Sequence, residues 1–359
     1  LERSSAASDV YKRQENKAMA RQKIKTAEFY DNIYSNPVPF TPKAVEGVST
    51  TNDEYLSVLS PDNEFAYYTR RSTKQKIGML RPETVEEFTV SVKKDGKFDE
   101  GKTMPYPFNM RPNEGGPSLS IDNRELFFTI CANENGYKNC DIYYTKKKYE
   151  DWSELKRLKY PVNKIDSWES QPTISSDGYT LIFSSIREGG LGGSDLYSVN
   201  RDENGNWGNL KSLNVNTVGN EKSPFLHPDS KTLYFSSDKH LGLGGLDIFY
   251  CKKDSTGNWT NPINIGYPIN SENDDLAFFV STDGKTAYFS SNKLSGIGGW
   301  DLYEFPLHRA ARPEKVLFIK GDVKAEQGEI LFDAVVEVKS MNSKKVNRID
   351  VNQESGQYV

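Results

Sequence analysis

A short turn recurs five times along this 359-residue chain, and its spacing constrains the fold more than any other feature. The turn has the form S-x-D-x, with His227 in place of serine in the fourth copy. Its aspartates are separated by 60, 55, 52 and 54 residues, and they are Asp62, Asp122, Asp177, Asp229 and Asp283. Near-constant spacing of this length indicates five copies of one supersecondary unit.

Further markers hold the same register in each unit. An acidic residue precedes every turn aspartate by eight positions: Glu54, Glu114, Glu169, Glu221 and Asp275. An aromatic strand such as LYFSS follows the turn, and glycine loops at residues 189–193, 242–245 and 296–299 lead into a second aromatic strand. An aromatic residue then opens the last segment of the first four units. Short strands separated by Asp and Gly turns predict a small antiparallel sheet in each unit.

Five such sheets need one another, because a four-stranded sheet cannot bury both of its faces alone. The fifth unit lacks the aromatic fourth strand, whereas residues 38–50 resemble an orphan fourth strand placed before the first unit. Phe40 precedes Glu54 by 14 residues, the same spacing as between Trp207 and Glu221. We therefore predict an all-β fold, a five-bladed β-propeller over residues 36–309 that is closed by its N-terminal strand.

The flanking segments lack the repeat markers. We interpret residues 1–14 as translated sequencing adapter, and residues 15–35 as a helix that ends a helical domain. Residues 314–359 read as strands and predict the start of a truncated β-sandwich. Because the chain lacks an initial Met and stops inside an expected strand, we expect it to be a fragment.

Composition excludes some partners. The formal net charge is −4, so no net basic field exists to hold nucleic acid. No stretch approaches the roughly 20 consecutive apolar residues of a membrane-spanning helix. We therefore expect neither nucleic acid as a partner nor a transmembrane segment.

The repeat resembles the TolB-type, WD40-like β-propeller repeat, on the S-x-D-G turn, the LYFSS strand and the G-x-G-G-x-D-I-Y pattern. The segment KGDVKAEQGEILFDAVVEV, residues 320–338, resembles the first strands of a carboxypeptidase-regulatory-like domain. The order of these parts, after a helical (TPR-like) domain, is similar to Bacteroidetes envelope proteins of the OmpA family, including PorE-like components of type IX secretion. That resemblance implies an outer-membrane-associated periplasmic protein that reaches peptidoglycan through an OmpA-like domain absent from this sequence.

The repeated acids have two interpretations. A calcium ring or paired catalytic carboxylates would use them chemically, as five-bladed glycosidases use acids in their central channel. Chemistry needs one asymmetric constellation, whereas a structural cap is needed in every blade. We therefore expect structural roles for the acids and for the turn aspartates, which hydrogen-bond their own turns. The glycine loops precede strands, not helices, which argues against phosphate binding.

No catalytic, metal or cofactor site is expected. The three histidines are not spaced as metal ligands, and no G-x-S-x-G motif is present. Cys131 and Cys140 flank one hairpin mouth, and either a disulfide or two unpaired thiols would fit that position. Trp300 and Trp168 lie outside the repeated tryptophan position; each would suit either a partner interface or packing against a neighbouring blade.

The sequence thus favours a non-enzymatic envelope scaffold whose propeller binds proteins, with no cofactor. Two alternatives remain open. The propeller would bind a glycan or peptidoglycan fragment directly, or it would be the accessory propeller of a hydrolase whose catalytic domain lies outside this sequence.

Overall fold

The computed structural model describes residues 2–75, 81–111, 113–134, 137–148, 151–326, 328, 331, 334–339, 341, 346–352 and 356–359. It begins with a helix, α1 (Glu2–Ser35), which starts 13 residues before the predicted helix and is exposed along most of its described length. Ile33, near its end, is buried. The chain then forms a short strand, β1 (Lys43–Ala44).

Five antiparallel sheets follow, and the first four are each formed by consecutive strands. Blade I contains β2 (Asp53–Leu59), β3 (Phe65–Lys74), β4 (Glu83–Lys94), β5 (Lys97–Phe98) and β6 (Lys102–Thr103). Blade II contains β7 (Glu114–Leu119), β8 (Glu125–Glu134), β9 (Tyr137–Lys148), β10 (Asp151–Trp152) and β11 (Lys156–Arg157). Blade III contains β12 (Glu169–Ile174), β13 (Thr180–Ser185), β14 (Asp195–Arg201) and β15 (Trp207–Ser212).

Blade IV contains β16 (Glu221–Leu226), β17 (Thr232–Ser237), β18 (Asp247–Lys252) and β19 (Ile263–Asn264). Blade V contains β20 (Phe279–Val280), β21 (Thr286–Ser291) and β22 (Asp301–Pro306). Its fourth strand is β1, which pairs with β22 in the register Lys43 to Glu304 and Ala44 to Tyr303. The predicted five-bladed propeller and its closure by the N-terminal strand are confirmed.

A 3₁₀ turn, η1 (Arg309–Ala311), follows the propeller. The described residues beyond it form two small antiparallel pairs. β23 (Gly321–Asp322) pairs with β26 (Gln357–Tyr358), and β24 (Val335–Lys339) pairs with β25 (Val346–Asp350). Within the segment that resembles the regulatory-like domain, residues 327, 329–330 and 332–333 lie outside the described residues.

The core lies between the blades and is largely aromatic. Phe88 of blade I stacks on Phe128 of blade II, with ring centroids 5.8 Å apart. Phe225 of blade IV packs against buried clusters that belong to blades I, II and V, so its ring fills part of the central channel. Such contacts explain how a chain with 36% hydrophobic residues builds a stable core, because each aromatic ring buries a large apolar area.

Each innermost strand contains a backbone irregularity that the sequence did not indicate. The residue two positions after each repeated acid has a positive φ between 49° and 60°: Leu56, Gly116, Gln171, Ser223 and Ala277. In the first four blades the strand register shifts at this point. In those four blades this geometry is that of a β-bulge, which bends the strand locally.

Candidate functional site

The five predicted turns surround one end of the central channel, which we call the turn mouth. In four turns, the aspartate accepts a hydrogen bond from the serine two residues earlier and from the backbone N–H two residues later. Asp229 instead accepts hydrogen bonds from the N–H groups of Lys231 and Thr232. All five turn aspartates thus hold local turn geometry.

Side chains also connect neighbouring turns. The Asn123 amide donates to the Asp62 carboxylate at 2.6 Å, and the Thr282 hydroxyl donates to the Pro61 carbonyl at 2.7 Å. His227 is fully buried; its Nδ1 accepts the N–H of Asp229, and its Nε2 lies 3.1 Å from the Ser281 carbonyl. Burial by itself would raise the pKa of Asp229, but the adjacent His227 side chain and the hydrogen bonds of the turn lower it to about 2.

The repeated acids lie at the opposite end of the channel, where the innermost strands begin. Each accepts a backbone N–H from the loop before its strand; the donors are Thr50, Asn109 with Arg111, Lys164, Thr217 and Ser271. Glu54, Glu169 and Glu221 are fully buried. Burial raises the pKa of Glu54 and Glu114, although their hydrogen bonds act in the opposite direction. These acids cap five separate loops and form no shared cluster.

The glycine loops contact the next blade. A Cβ at Gly192, Gly244 or Gly298 would overlap backbone atoms of the loop that precedes the neighbouring innermost strand. In each loop the aspartate that heads the following strand accepts two backbone N–H groups through one carboxylate oxygen. The loops therefore serve contacts between blades, and their N–H groups are already bonded to protein.

The structure joins Cys131 and Cys140 in a disulfide, with Cα atoms 4.0 Å apart. The two residues are directly opposite in the register of β8 and β9, which explains how the bond crosses the hairpin. Cys251 is a buried free thiol.

Trp300 lies at the junction of blades V and I, Trp168 directly precedes the innermost strand of blade III, and both are partly buried. The Trp300 N–H donates to Asp53 at 2.9 Å, its carbonyl accepts the N–H of Glu54, and its ring lies 6.5 Å from that of Tyr55. The Trp168 carbonyl accepts the N–H of Ile186. Backbone contacts thus fix both residues, and each indole keeps part of its surface exposed.

A cavity of about 460 Å³ opens at the turn mouth. Its walls are apolar side chains and hydroxyls from the ends of all five innermost strands, including Leu59, Leu119, Ile174, Leu226 and Val280. The segment 313–320, which we call the strap, crosses this mouth, and Lys315–Phe318 form part of the cavity wall. Sequence analysis assigned residues 314–359 to a separate domain and missed this role. The run of four apolar residues between two lysines in KVLFIK is the signal that was present.

Both ends of the strap are anchored on turns. Lys320 pairs with Asp62 at 3.0 Å and with Glu64 at 2.6 Å, both in blade I. At the other end, Glu314 pairs with Lys231 at 2.8 Å, and its N–H donates to Asp229 at 2.9 Å. Phe318 is half-buried, whereas Leu317 is 77% exposed. The strap therefore closes the mouth through two polar anchors and few deeply buried side chains.

The channel offers little acid–base chemistry. Among the described residues that line its two cavities, Asp283 at the rim is the one carboxylate. Within the described part of the chain, no group of three or more His, Cys, Asp or Glu is placed to hold a metal ion. No helix there is long and apolar enough to cross a bilayer. The arrangement is suited to binding an apolar or hydroxyl-bearing ligand.

Comparison with known proteins gives distant structural similarity and no family. No protein-family model and no curated protein matches the chain. Solved structures do resemble it, among them a glycoside hydrolase with a TM-score of 0.49 and 10% identity, covering 82% of this chain and 97% of that one. A putative TolB from Agrobacterium tumefaciens has a TM-score of 0.34 and 16% identity, covering 71% of this chain and 89% of that one.

Zg3597, a family 117 glycoside hydrolase of the marine bacterium Zobellia galactanivorans, has a TM-score of 0.46 and 15% identity. The match covers 74% of this chain and 89% of that one. At these identities and TM-scores the similarity carries no argument about this chain, and the activities of these proteins are not carried over.

Proposed function

We propose that this chain is a non-enzymatic scaffold of the cell envelope and that its propeller binds a protein segment at the turn mouth. The observation that carries the proposal is the chemistry of that mouth. Its wall is apolar with scattered hydroxyls, its occupant in the structure is an extended segment of this chain, and the repeated acids point elsewhere. A surface already complementary to one extended segment is suited to another of similar chemistry.

The envelope assignment depends on the resemblance of the repeat and of residues 320–338. It comprises a periplasmic, outer-membrane-associated location, a carboxypeptidase-regulatory-like domain after the propeller, peptidoglycan contact through an OmpA-like domain, and participation in type IX secretion. The full-length gene tests this part, because an OmpA-like segment downstream supports it and a hydrolase domain contradicts it.

Photo-crosslinking tests the binding site. A photoreactive phenylalanine analogue at Ile121, in the mouth wall, is compared with the same analogue at Ile263, which is 52% exposed on the outer edge of blade IV. We expect the Ile121 position to form adducts with an envelope protein in the native cells. A synthetic peptide with the sequence of residues 313–320 is expected to reduce them.

Equal adducts from both positions, or none from Ile121, would contradict the proposed site. Retention of the purified chain by peptidoglycan sacculi, abolished by a mouth substitution, would instead favour the glycan-binding alternative.

A further inference from the structure

Two adjoining grooves lie on the outer edges of blades II and III, away from the channel. Their volumes are about 590 and 570 Å³, and both are lined by Tyr144, Lys146 and Lys156. The described residues that line them include eight Lys or Arg side chains and two carboxylates, in a chain whose net charge is −4. We call this surface the cationic groove.

Some cations of the groove are paired with carboxylates, whereas three lysines have no carboxylate partner among the described residues. Glu125 is shared by Lys146 at 2.6 Å and Arg201 at 2.8 Å, and these cations lower the pKa of its carboxyl although burial opposes them. Lys148, Lys156 and Lys159 are exposed and have no carboxylate partner among the described residues. An unpaired cluster of cations in one concave surface favours an anionic ligand.

Aromatic rings form the floor and one edge of the groove. Phe127 stacks on Tyr144 with ring centroids 6.0 Å apart and meets Trp207 edge-on at 6.0 Å. Arg201 lies over the Trp207 ring at 4.7 Å, which fixes the indole. Tyr160 at the rim is 76% exposed. Aromatic faces beside cations are suited to a ligand with both C–H surfaces and negative charges.

We propose that the cationic groove binds an acidic polysaccharide, a chain of sugar rings bearing carboxylates. Pyranose rings offer C–H faces to Tyr160 and Tyr144, while their carboxylates pair with Lys156 and Lys159. A polyphosphate fits less well, because it has no C–H faces to place against Tyr160 and Tyr144. A bilayer surface fits less well, because these cations line the walls of a groove.

Blade I provides a matched control. In the strand register, Lys102 lies opposite Val90 in the same way that Lys156 lies opposite Tyr144. The two lysines therefore occupy equivalent positions in their blades. Lys43 holds the corresponding position in blade V, opposite Glu304, and both control lysines are exposed.

Calorimetry with the whole chain tests the proposal, using oligogalacturonate as the probe. The methyl-esterified oligomer of equal length is the neutral control, and polyglutamate is the acidic-peptide control. We expect binding of oligogalacturonate alone, weakened by salt. The Lys156→Ala, Lys159→Ala double variant should bind roughly tenfold more weakly, as expected when two exposed charge contacts are lost. The Lys43→Ala, Lys102→Ala variant should bind normally.

Tyr160→Ala separates sugar recognition from charge alone. We expect it to weaken oligogalacturonate binding and to leave any polyglutamate binding unchanged. Equal binding of the esterified oligomer, polyglutamate binding as tight as oligogalacturonate binding, or no oligogalacturonate binding would each overturn the proposal. Because the groove lies outside the turn mouth, none of these outcomes affects the crosslinking test.

Discussion

Blades III to V and blades I and II connect to their neighbours by different chemistry. At the III–IV junction, the N–H of Gly193 donates to the Gly219 carbonyl and the N–H of Glu221 donates to the Ser194 carbonyl. The bond from Glu221 has equivalents at the next two junctions. The N–H of Asp275 donates to the Leu246 carbonyl at the IV–V junction, and the N–H of Glu54 donates to the Trp300 carbonyl at the V–I junction. Backbone hydrogen bonds thus cross each junction that has a glycine loop.

Blades I and II have long hairpins where the others have glycine loops. In blade I, Arg70 pairs with the buried Glu54 at 2.8 Å. In blade II, Arg157 pairs with Asp141 at 2.7 Å, and the disulfide crosses the hairpin. These pairs and the disulfide lie within blades I and II, and the Thr69 hydroxyl of blade I donates to the Glu114 carbonyl of blade II at 3.1 Å. The comparison teaches that a missing glycine motif marks a different junction and not a missing blade.

The largest expected effect comes from Gly298→Ala at the V–I junction. The new Cβ would overlap the carbonyl oxygens of Asn52 and Thr50, and backbone cannot move aside as a side chain would. We expect a loss of about 3 kcal/mol in the free energy of unfolding, measured by urea denaturation. Gly208→Ala is the control, since its Cβ would meet nothing within 4 Å. Equal effects of the two substitutions would contradict the role of the glycine loop.

Asp247 and Asp141 hold equivalent strand positions, opposite Ser237 and Ile130. Substitution by Asn should nevertheless change the free energy of unfolding in opposite directions at the two positions. Burial raises the pKa of Asp247 from 3.8 to about 6. The folded state therefore binds this proton more tightly, and its stability falls as pH rises through this window. Asp247→Asn should be more stable than the parent by up to about 3 kcal/mol near pH 8 and equal near pH 4.

Asp141→Asn removes a carboxylate that pairs with Arg157 and should destabilise the chain by about 1 kcal/mol near pH 8. Thermal unfolding of both variants across pH measures the contrast. If both substitutions shift the midpoint in the same direction, the two aspartates do not differ as described.

Removal of the disulfide has a smaller expected effect. The double substitution Cys131→Ser, Cys140→Ser should cost about 2 kcal/mol, because the bond closes a short loop with a sequence separation of 9. Reductant should lower the unfolding midpoint of the parent to that of the variant and leave the variant unchanged. If reductant also lowered the unfolding midpoint of the variant, its effect on the parent could not be assigned to the disulfide.

The strap connects blade I with blade IV. Its release should have the smallest effect of these changes on the free energy of unfolding. Lys320→Ala removes exposed ion pairs to blade I, so the free energy of unfolding should change by less than about 1 kcal/mol. Hydrogen exchange of residues 313–320 should nevertheless accelerate. The control is Lys285→Ala, which removes a 3.9 Å pair with Asp283 on the same rim. Unchanged exchange in the Lys320 variant would contradict the anchoring role.

The sequence predicted the repeat architecture well, because every unit repeats the same local solution. Turn aspartates, glycine loops and aromatic strands each follow from local chain chemistry, and the 14-residue spacing at Phe40 predicted the closure by β1. The helix boundary was less certain, since helix ends depend on flanking residues that carry weak signals.

Features that depend on contacts between distant residues escaped the sequence. The positive φ at Leu56 and Gln171 arises from a bulge in the strand, and neither residue type favours that conformation. The strap also escaped, because Lys320 meets Asp62 across 258 positions of sequence. The cationic groove likewise combines lysines and Tyr144 of blade II with Arg201 and Trp207 of blade III, which only folding brings together.

The way the chain enters and leaves the ring determines where a mechanical load would act. Pulling directly on the start of β1 and the end of β22 would unzip their two paired positions one after the other. Both flanking segments, however, are attached to blade IV: Val38 donates to the Tyr267 carbonyl, and Ala311 accepts the Tyr234 hydroxyl. Tension between the ends of the chain would therefore reach blade IV first and spare the strand pair that closes the ring.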